Sequence, residues 1–423
     1  MSVEQAVARW RAVPERTLLL AMLVIVFGVL STRLAGTQVL GRIPLQNLLK
    51  NGLGADRSTN AAFFFWTTMP WYLKPLVGIF TDAFPLFGSR RKSYMMIAAA
   101  ASAAAWWALC VTAHRYGNLL AVCLLINIAM MVASTVVGAY LVEAAQASAS
   151  AGRLTSVRNF VEQFSWVIAG PTGGLLGSIA FGWTAILCGS VAFLIVPVAL
   201  FALREPVRPH TVIRPLADLR EQLLRIARAR SMWAAAGIAA LFYFAPGVNT
   251  GLFYIQQNEL HLGTQAQGYL VMLSGLCGIT AAALYGAFAS RRLTLRTLLV
   301  IALLMGTAAN LGYLFYSSFP RAQFIEGFNG FGYTLAEVAL MHLAVRATPA
   351  GSEALGFALI MAVRNLGLFG ADWVGAYLLD QHYLGFHALV IANAATSCIA
   401  APLVLLLPAA LVDVRDGGRR VAP

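Results

Sequence analysis

Glu326, Asn329, Tyr333 and Glu337 recur at spacings of three, four and four residues. That period puts all four on one face of one helix. The residues around them are apolar, so such a stripe does not belong against lipid. Burial disfavours the charged form of a carboxyl group and raises its proton affinity. Glu337, and Glu326 nearer the outer end of the same helix, are therefore candidate proton-coupling groups. The alternative for each is a structural ion pair with an arginine of a neighbouring helix.

Cations recur in the same setting. Arg33 lies near the middle of the first long apolar run, with Thr37 one turn on, and Gln38 precedes Arg42 nearer its outer end. A guanidinium facing a watery cavity can hold an anion by two hydrogen bonds; the other reading is an internal salt bridge. Arg158 and Glu162 stand one turn apart and can neutralise each other, and Glu143 is a second candidate partner for Arg158. Arg364 and Asp372 lie two turns apart on one side of another helix, with Asn365 beside the arginine.

Two groups in the stretch WYLKPLVGIFTDAFPLFGSRRKSY, 71–94, look like gate residues. Lys74 sits in an apolar run before Pro75, at a depth similar to that of Glu337, its candidate partner. Asp82 closes that run, and is expected to face a helix start near Ser352 and Glu353, where negative charge is favoured. Further on, YFAPGVNTGLFYIQQN, 243–258, combines Pro246, Gly247 and Gly251 with Tyr243, Asn249, Thr250, Tyr254 and Gln257. Proline and glycine weaken the helix there, and the freed carbonyls must find other partners. A bendable, amide-rich helix suits a gate or a substrate wall; a kinked packing helix is the other reading. Trp71, Tyr243 and Tyr333 offer aromatic faces to a flat ring. The expected substrate-binding set is thus Arg33, Thr37, Trp71, Tyr243, Asn249, Tyr254, Asn329, Tyr333 and Arg364. The gate and ion-pair set is Lys74, Asp82, Glu143, Arg158, Glu162 and Asp372.

Positioning these groups requires a membrane protein. The chain has 423 residues, is 59% hydrophobic and only 11% charged. A soluble chain is nearer one quarter charged, and runs of ~20 apolar residues, enough to span a bilayer, recur here. The predicted architecture is all-α, with twelve transmembrane helices at roughly 17–48, 58–82, 93–113, 118–146, 154–180, 183–204, 231–258, 266–289, 296–317, 320–346, 353–380 and 383–411. The polar stretch 205–230 divides them into two six-helix bundles, 1–204 and 231–423. Its leucines among arginines predict an amphipathic helix on the inner leaflet.

The net charge of +13 resides mostly in short arginine clusters between apolar runs. That is a topology signal, and no nucleic-acid partner is expected. Arg9, Arg11, Arg16, Arg90, Arg91, Lys92 and the linker arginines fall on one side. Lys50, Arg57, Arg115 and Arg321 fall on the other. Both termini and the linker are therefore expected in the cytoplasm, with the protein in the plasma (inner) membrane. The five cysteines show no paired spacing, and no motif for catalysis, metal or cofactor is found; no enzyme activity and no cofactor are expected.

Two stretches resemble the folate–biopterin transporter family. The first carries Trp71, Lys74, Pro75, Gly78, Asp82, Pro85, Gly88, Arg90, Arg91 and Tyr94. The second, PAGSEALGFALIMAVRNLG, carries Pro349, Gly351, Glu353, Phe357, Ala358, Leu359, Asn365 and Gly367. The resemblance implies a major facilitator fold and transport of folates, pterins or related solutes, with protons. An internal echo, SVRNF at 156–160 against AVRNL at 362–366, fits the internal repeats of that superfamily. The reading is a proton-coupled secondary transporter of a small anionic or heterocyclic solute, working by alternating access with the solute between the two halves. One alternative is an exporter of drugs or metabolites, motivated by GPTGG at 170–174. Another is a non-transporting membrane receptor or scaffold.

Overall fold

The computed structural model describes residues 15–84, 86–89, 91–148, 151–203, 215–349 and 353–413. Among them there is no strand beyond an isolated bridge between Leu86 and Ser89. By backbone contacts the chain divides into two compact units. One comprises Met1–Leu45 and Leu76–Ile213; the other comprises Gln46–Pro75 and Arg214–Pro423. The segment Gln46–Pro75, expected in the first bundle, thus clusters with the second half.

The first unit begins with α1, Glu15–Leu34. The first span is not one continuous helix. It breaks over residues 35–41 and resumes as α2, Arg42–Asn47. The break is held from other helices: the Trp106 indole Nε1 donates to the Ala35 carbonyl at 2.7 Å, and the Asn127 amide donates to Thr37 Oγ1 at 2.8 Å. A carbonyl freed in an apolar interior must be satisfied in this way. Later helices of this unit are α5, Lys92–Ala108; α6, Tyr116–Ser148; α7, Ala151–Gly177; α8, Phe181–Phe193; and α9, Ile195–Ala202. Helix α1 packs on α6, α7 and α9, and α5 packs on α6 and α8. The glycine-rich stretch at 170–174 serves close approach, since a Cβ on Gly173 would stand 3.1 Å from the Leu40 carbonyl oxygen.

The second span is also interrupted. Helix α3, Arg57–Thr68, passes through a tighter turn, Met69–Leu73, into α4, Lys74–Ala83. Pro70 and Pro75 cannot donate backbone hydrogen bonds, which accounts for the break. Asp56 caps α3 by accepting from the Thr59 N–H.

The second unit continues with α10, Pro215–Arg228; α11, Arg230–Tyr243; and α12, Asn249–Asn258. It ends with α13, Thr264–Leu284; α14, Leu295–Leu311; α15, Phe319–Ala347; α16, Glu353–Asp380; and α17, Phe386–Leu403. Helix α10 occupies the expected linker position, with Ile226 packed beside Met232, Ala344 and Ile360. Helix α15 is clasped by α13 and α14, and α16 packs on α3 and α11. Glycine sets the first of these contacts: a Cβ on Gly330 would fall 2.2 Å from the Ser274 carbonyl oxygen, so only glycine fits.

Five segments are long and apolar enough to cross a bilayer by length and composition among the described residues: 116–141, 181–202, 264–289, 295–315 and 386–406. The expected spans 1, 2, 3, 5, 7, 10 and 11 are not among them; apart from the third, whose helix α5 is only 17 residues long, these carry the intramembrane charges or the helix breaks. The seventh span breaks between α11 and α12. Asp372 of α16, 5% exposed, accepts from the Thr250 N–H at 3.0 Å and from its hydroxyl at 2.7 Å. The Gly247 N–H donates to the Ala371 carbonyl at 2.9 Å, and Asn393 donates to the Pro246 carbonyl at 2.8 Å. The expected alignment of Asp372 with Arg364 is thus replaced by a cap on α12. Asp372→Ala would strand two buried donors at ~1–3 kcal/mol each, so the detergent-solubilised variant is expected to unfold several degrees lower. An unchanged midpoint would contradict the cap.

Candidate functional site

The first unit holds a three-charge cluster. Arg33, at the end of α1, places its guanidinium 3.0 Å from Glu162 Oε1. Arg158, one turn before Glu162 on α7, donates to the same oxygen from Nε at 3.3 Å and from its terminal nitrogen at 3.2 Å. One carboxylate therefore serves two guanidiniums. The Arg33 and Arg158 side chains remain 44% and 36% exposed, against 23% for Glu162, so the cations reach open space while the acid sits behind them. They border a shallow opening whose other walls include Val29, Thr32, Ser134, Gly138 and Leu141. Among the described residues the cluster carries a surplus of one positive charge at a concave, water-accessible place. Thr37 does not share it: that side chain is fully buried and its oxygen accepts from Asn127.

The second unit holds a two-charge cluster. Glu337 of α15 pairs with Arg364 of α16. Arg364 also donates to Asn365 Oδ1 at 3.0 Å, and its guanidinium carbon lies 5.4 Å from the Tyr243 ring centroid. Tyr243 meets Phe242 edge-on at 5.3 Å, and Phe242 lies 5.9 Å from Tyr333. The hydroxyl of Tyr333 is buried with no hydrogen-bond partner among the described residues, and the Tyr243 hydroxyl lies beside the Arg364 guanidinium. An unpartnered buried hydroxyl beside an ion pair is uncommon in a membrane interior, and it marks a place where a polar ligand edge or water fits.

The stripe on α15 thus divides. Its inner half, Tyr333 and Glu337, joins Arg364. Its outer half is engaged elsewhere: Tyr316 donates to Glu326 at 3.0 Å, and Gln256 reaches the Tyr316 hydroxyl at 2.7 Å. Asn329 donates to Asn310 at 2.9 Å, and Asn310 to Asn393 at 2.8 Å, in a relay ending at the Pro246 carbonyl. Asn329 therefore helps hold the break in the seventh span.

Lys74 makes no ion pair with Glu337, whose carboxylate is taken by Arg364; its ammonium lies 5.4 Å from the Trp71 ring centroid. Asn249 opens α12 and is exposed. The expectations for Asp82 and Glu143, and for the contact of Asp82 with Ser352 and Glu353, lie outside the described residues.

A third polar cluster was not anticipated. It lies where the segment after the first span meets the ends of α12 and α16, all within the second unit. Lys50 donates to Gln257 Oε1 at 2.8 Å and to Asn258 Oδ1 at 2.6 Å. Asp380 accepts from Arg57 at 3.3 Å and from the Ser58 N–H at 2.6 Å. Tyr254, expected to face substrate, spends its hydroxyl on the carbonyls of Ala55 and Asp56, at 2.5 and 3.0 Å. Burial, and then the nearby Arg57 charge, lower the proton affinity of Lys50 below that of a free lysine. At Asp56 burial acts to raise the carboxyl, but hydrogen bonds from Thr59 and Ser58 outweigh it and hold it below the ordinary range. The sequence signal available was the placement of two bases, Lys50 and Arg57, on the base-poor side.

The profile of the BT1 family matches residues 35–421. The chain is 26% identical over 412 residues to the folate-biopterin transporter of Synechocystis sp. (strain ATCC 27184 / PCC 6803 / Kazusa), covering 90% of this chain and 81% of that protein. It is also 26% identical over 370 residues to the probable folate-biopterin transporter 2 of Arabidopsis thaliana, covering 80% of this chain and 72% of that one. Among solved structures, a D-xylose-proton symporter superposes with a TM-score of 0.68 at 15% identity, covering 92% of this chain and 97% of the other. A nucleoside transporter superposes at 0.70 and 12% identity, covering 93% and 99%. The fold is that of the major facilitator transporters.

Proposed function

The chain belongs to the BT1 family, and from that premise we propose that this transporter moves a folate- or pterin-like anionic solute together with protons, by alternating access. Its expected place is the plasma membrane, with both termini in the cytoplasm. The observation that carries the solute class is the surplus guanidinium: Arg33 and Arg158 share the single carboxylate of Glu162 and stay partly exposed at a pocket. An arriving carboxylate completes the charge balance there and is held by charge-assisted hydrogen bonds. Independently, within the second unit, the unpartnered hydroxyl of Tyr333 offers a donor, and the rings of Tyr243 and Tyr333 offer faces, to a heterocycle.

Glu337 is the proposed proton carrier. While ionised it occupies Arg364. Protonation removes that counter-charge and leaves the guanidinium available to another anion. Proton and solute then act on one residue, which is the requirement for coupling: each must bind one state better than the other. The names of the two relatives support folate and pterin as the first solutes to try.

The solute class is tested by thermal unfolding of the purified protein with folate, a simple pterin and a nucleoside. A folate or pterin is expected to raise the midpoint, because a ligand that binds only the folded state stabilises it by mass action. Arg33→Gln is expected to abolish that rise. A nucleoside-only response, or an undiminished folate response in Arg33→Gln, would contradict the assignment.

A further inference from the structure

Three asparagines on three helices of the second unit form one hydrogen-bonded chain. Asn393 of α17 donates to the Pro246 carbonyl at 2.8 Å, Asn310 of α14 donates to Asn393 Oδ1 at 2.8 Å, and Asn329 of α15 donates to Asn310 Oδ1 at 2.9 Å. A side-chain amide can be turned end for end, and its partners set its orientation. Here the anchor is a carbonyl, which only accepts. Asn393 must therefore give it the amide nitrogen and turn its own oxygen to Asn310. Asn310 must do the same toward Asn329. The polarity fixed at Pro246 thus runs through every side chain of the series, and Asn329 is left with its Oδ1 as the free end. No donor among the described residues meets that oxygen.

The break in the seventh span does not need the whole chain. Asn393 alone satisfies the Pro246 carbonyl, and it is 9% exposed. Each further amide takes a polar group out of water into a helix interior, at a cost that its hydrogen bond must offset. Each also leaves one more oxygen to be satisfied. Such a series is complete only where it ends at water or at a ligand. Asn329 is half-buried on the polar stripe of α15, one turn before Tyr333, whose hydroxyl is also unpartnered. Phe324, 76% exposed, stands half a helical circumference from Tyr333, so the apolar outer face of α15 is opposite the stripe.

We infer, on the folate and pterin reading above, that Asn329 Oδ1 accepts a hydrogen bond from the 2-amino group of a 2-amino-4-oxo pyrimidine ring, and that Asn310, Asn393 and the Pro246 carbonyl are positioning groups that keep this oxygen turned to the solute. The edge of such a ring carries an amino donor beside a ring-nitrogen acceptor. The Tyr333 hydroxyl can donate or accept and adapts to either neighbour. The locked amide oxygen cannot, so Asn329 and not Tyr333 decides which ring is taken. A 2,4-dioxo ring of nearly the same shape places an oxygen against Asn329 Oδ1. Two acceptors facing each other are both left unsatisfied, and a polar site rejects a close analogue in this way.

The test titrates the purified full chain with pterin and with lumazine, its 2,4-dioxo counterpart, at a pH where both rings are neutral. The wild type is expected to prefer pterin by about tenfold, the order of one neutral hydrogen bond. Asn329→Leu is expected to lose the preference. Asn310→Ala frees the Asn329 amide to turn and is expected to weaken it. Adding Asn329→Asp to Asn310→Ala is expected to restore it, because both oxygens of a carboxylate accept and orientation no longer matters. A relay that only supports the helix break predicts no such return, since the double variant has lost more of the series. Equal binding of the two rings by the wild type, or an unchanged preference in Asn329→Leu, would overturn the acceptor role and leave the solute class standing. A preference not restored in the double variant would overturn the positioning role. Binding of neither ring would overturn the acceptor role together with the pterin reading. The wild-type comparison needs no substitution, so it decides the acceptor role even where a variant fails to fold.

Discussion

Arg364→Ala is expected to destabilise the protein and abolish uptake, and a second change, Glu337→Ala, is expected to restore the stability but not the uptake. Arg364 and Glu337 are 19% and 23% exposed and directly paired. Removing one partner of a buried pair leaves the other charge uncompensated, at a cost of ~3–5 kcal/mol; the residual exposure places this site near the lower end. Removing both leaves no stranded charge, so the unfolding midpoint of the double variant recovers. Uptake does not recover, because the proton carrier and the cation it regulates are both gone. Thermal unfolding and proteoliposome uptake of the two single variants and the double variant form one double-mutant cycle. A double variant that transports would show the pair to be structural.

The second large effect is on solute affinity in the first unit. Arg33→Gln removes one of two guanidiniums that share Glu162. A charge-assisted hydrogen bond contributes ~1.5–3 kcal/mol, and each 1.4 kcal/mol corresponds to about tenfold in affinity. The apparent KM for an anionic solute is therefore expected to rise ~10- to 100-fold, with little change in stability, since the remaining Arg158–Glu162 pair is neutral within one helix. Glu162→Gln moves the other way on charge, releasing both arginines toward the pocket. It is expected to bind the anion at least as tightly as the wild type. Equal KM values for Arg33→Gln and wild type would remove the anion role from this cluster.

How far these clusters could be read in advance depended on where the partner sits. Arg158 and Glu162 are four residues apart, and helical spacing alone predicted their contact, which the structure contains. Arg364 is the counterpart of Arg158 in the sequence echo, but its carboxylate comes from 27 residues earlier on another helix. Only the packing of α15 and α16 decides that it, and not Lys74, meets Glu337. The break at Pro246 and Gly247 was visible because proline and glycine mark it. The break at residues 35–41 was marked as well, by Gly36 and Gly41 with Pro44 beyond, but its partners Trp106 and Asn127 come from other helices. Asp372 looked like an intramembrane charge in search of an arginine, and it is instead the acceptor that the break in the seventh span requires. The Lys50 cluster was hidden for the same reason as the Arg364 pair: Lys50 and Gln257 are 207 residues apart. Charge counting treated Lys50 and Arg57 only as exceptions to an orientation rule.

Coupling of a proton to solute movement through Glu337 is measured in proteoliposomes. Uptake of labelled folate or pterin is measured with and without an inside-alkaline gradient, for the wild type and for Glu337→Gln. The gradient is expected to accelerate uptake by the wild type and to leave Glu337→Gln unaffected, while solute exchange at equal pH on both sides persists in both. Equal acceleration of the two proteins by the gradient would contradict that coupling.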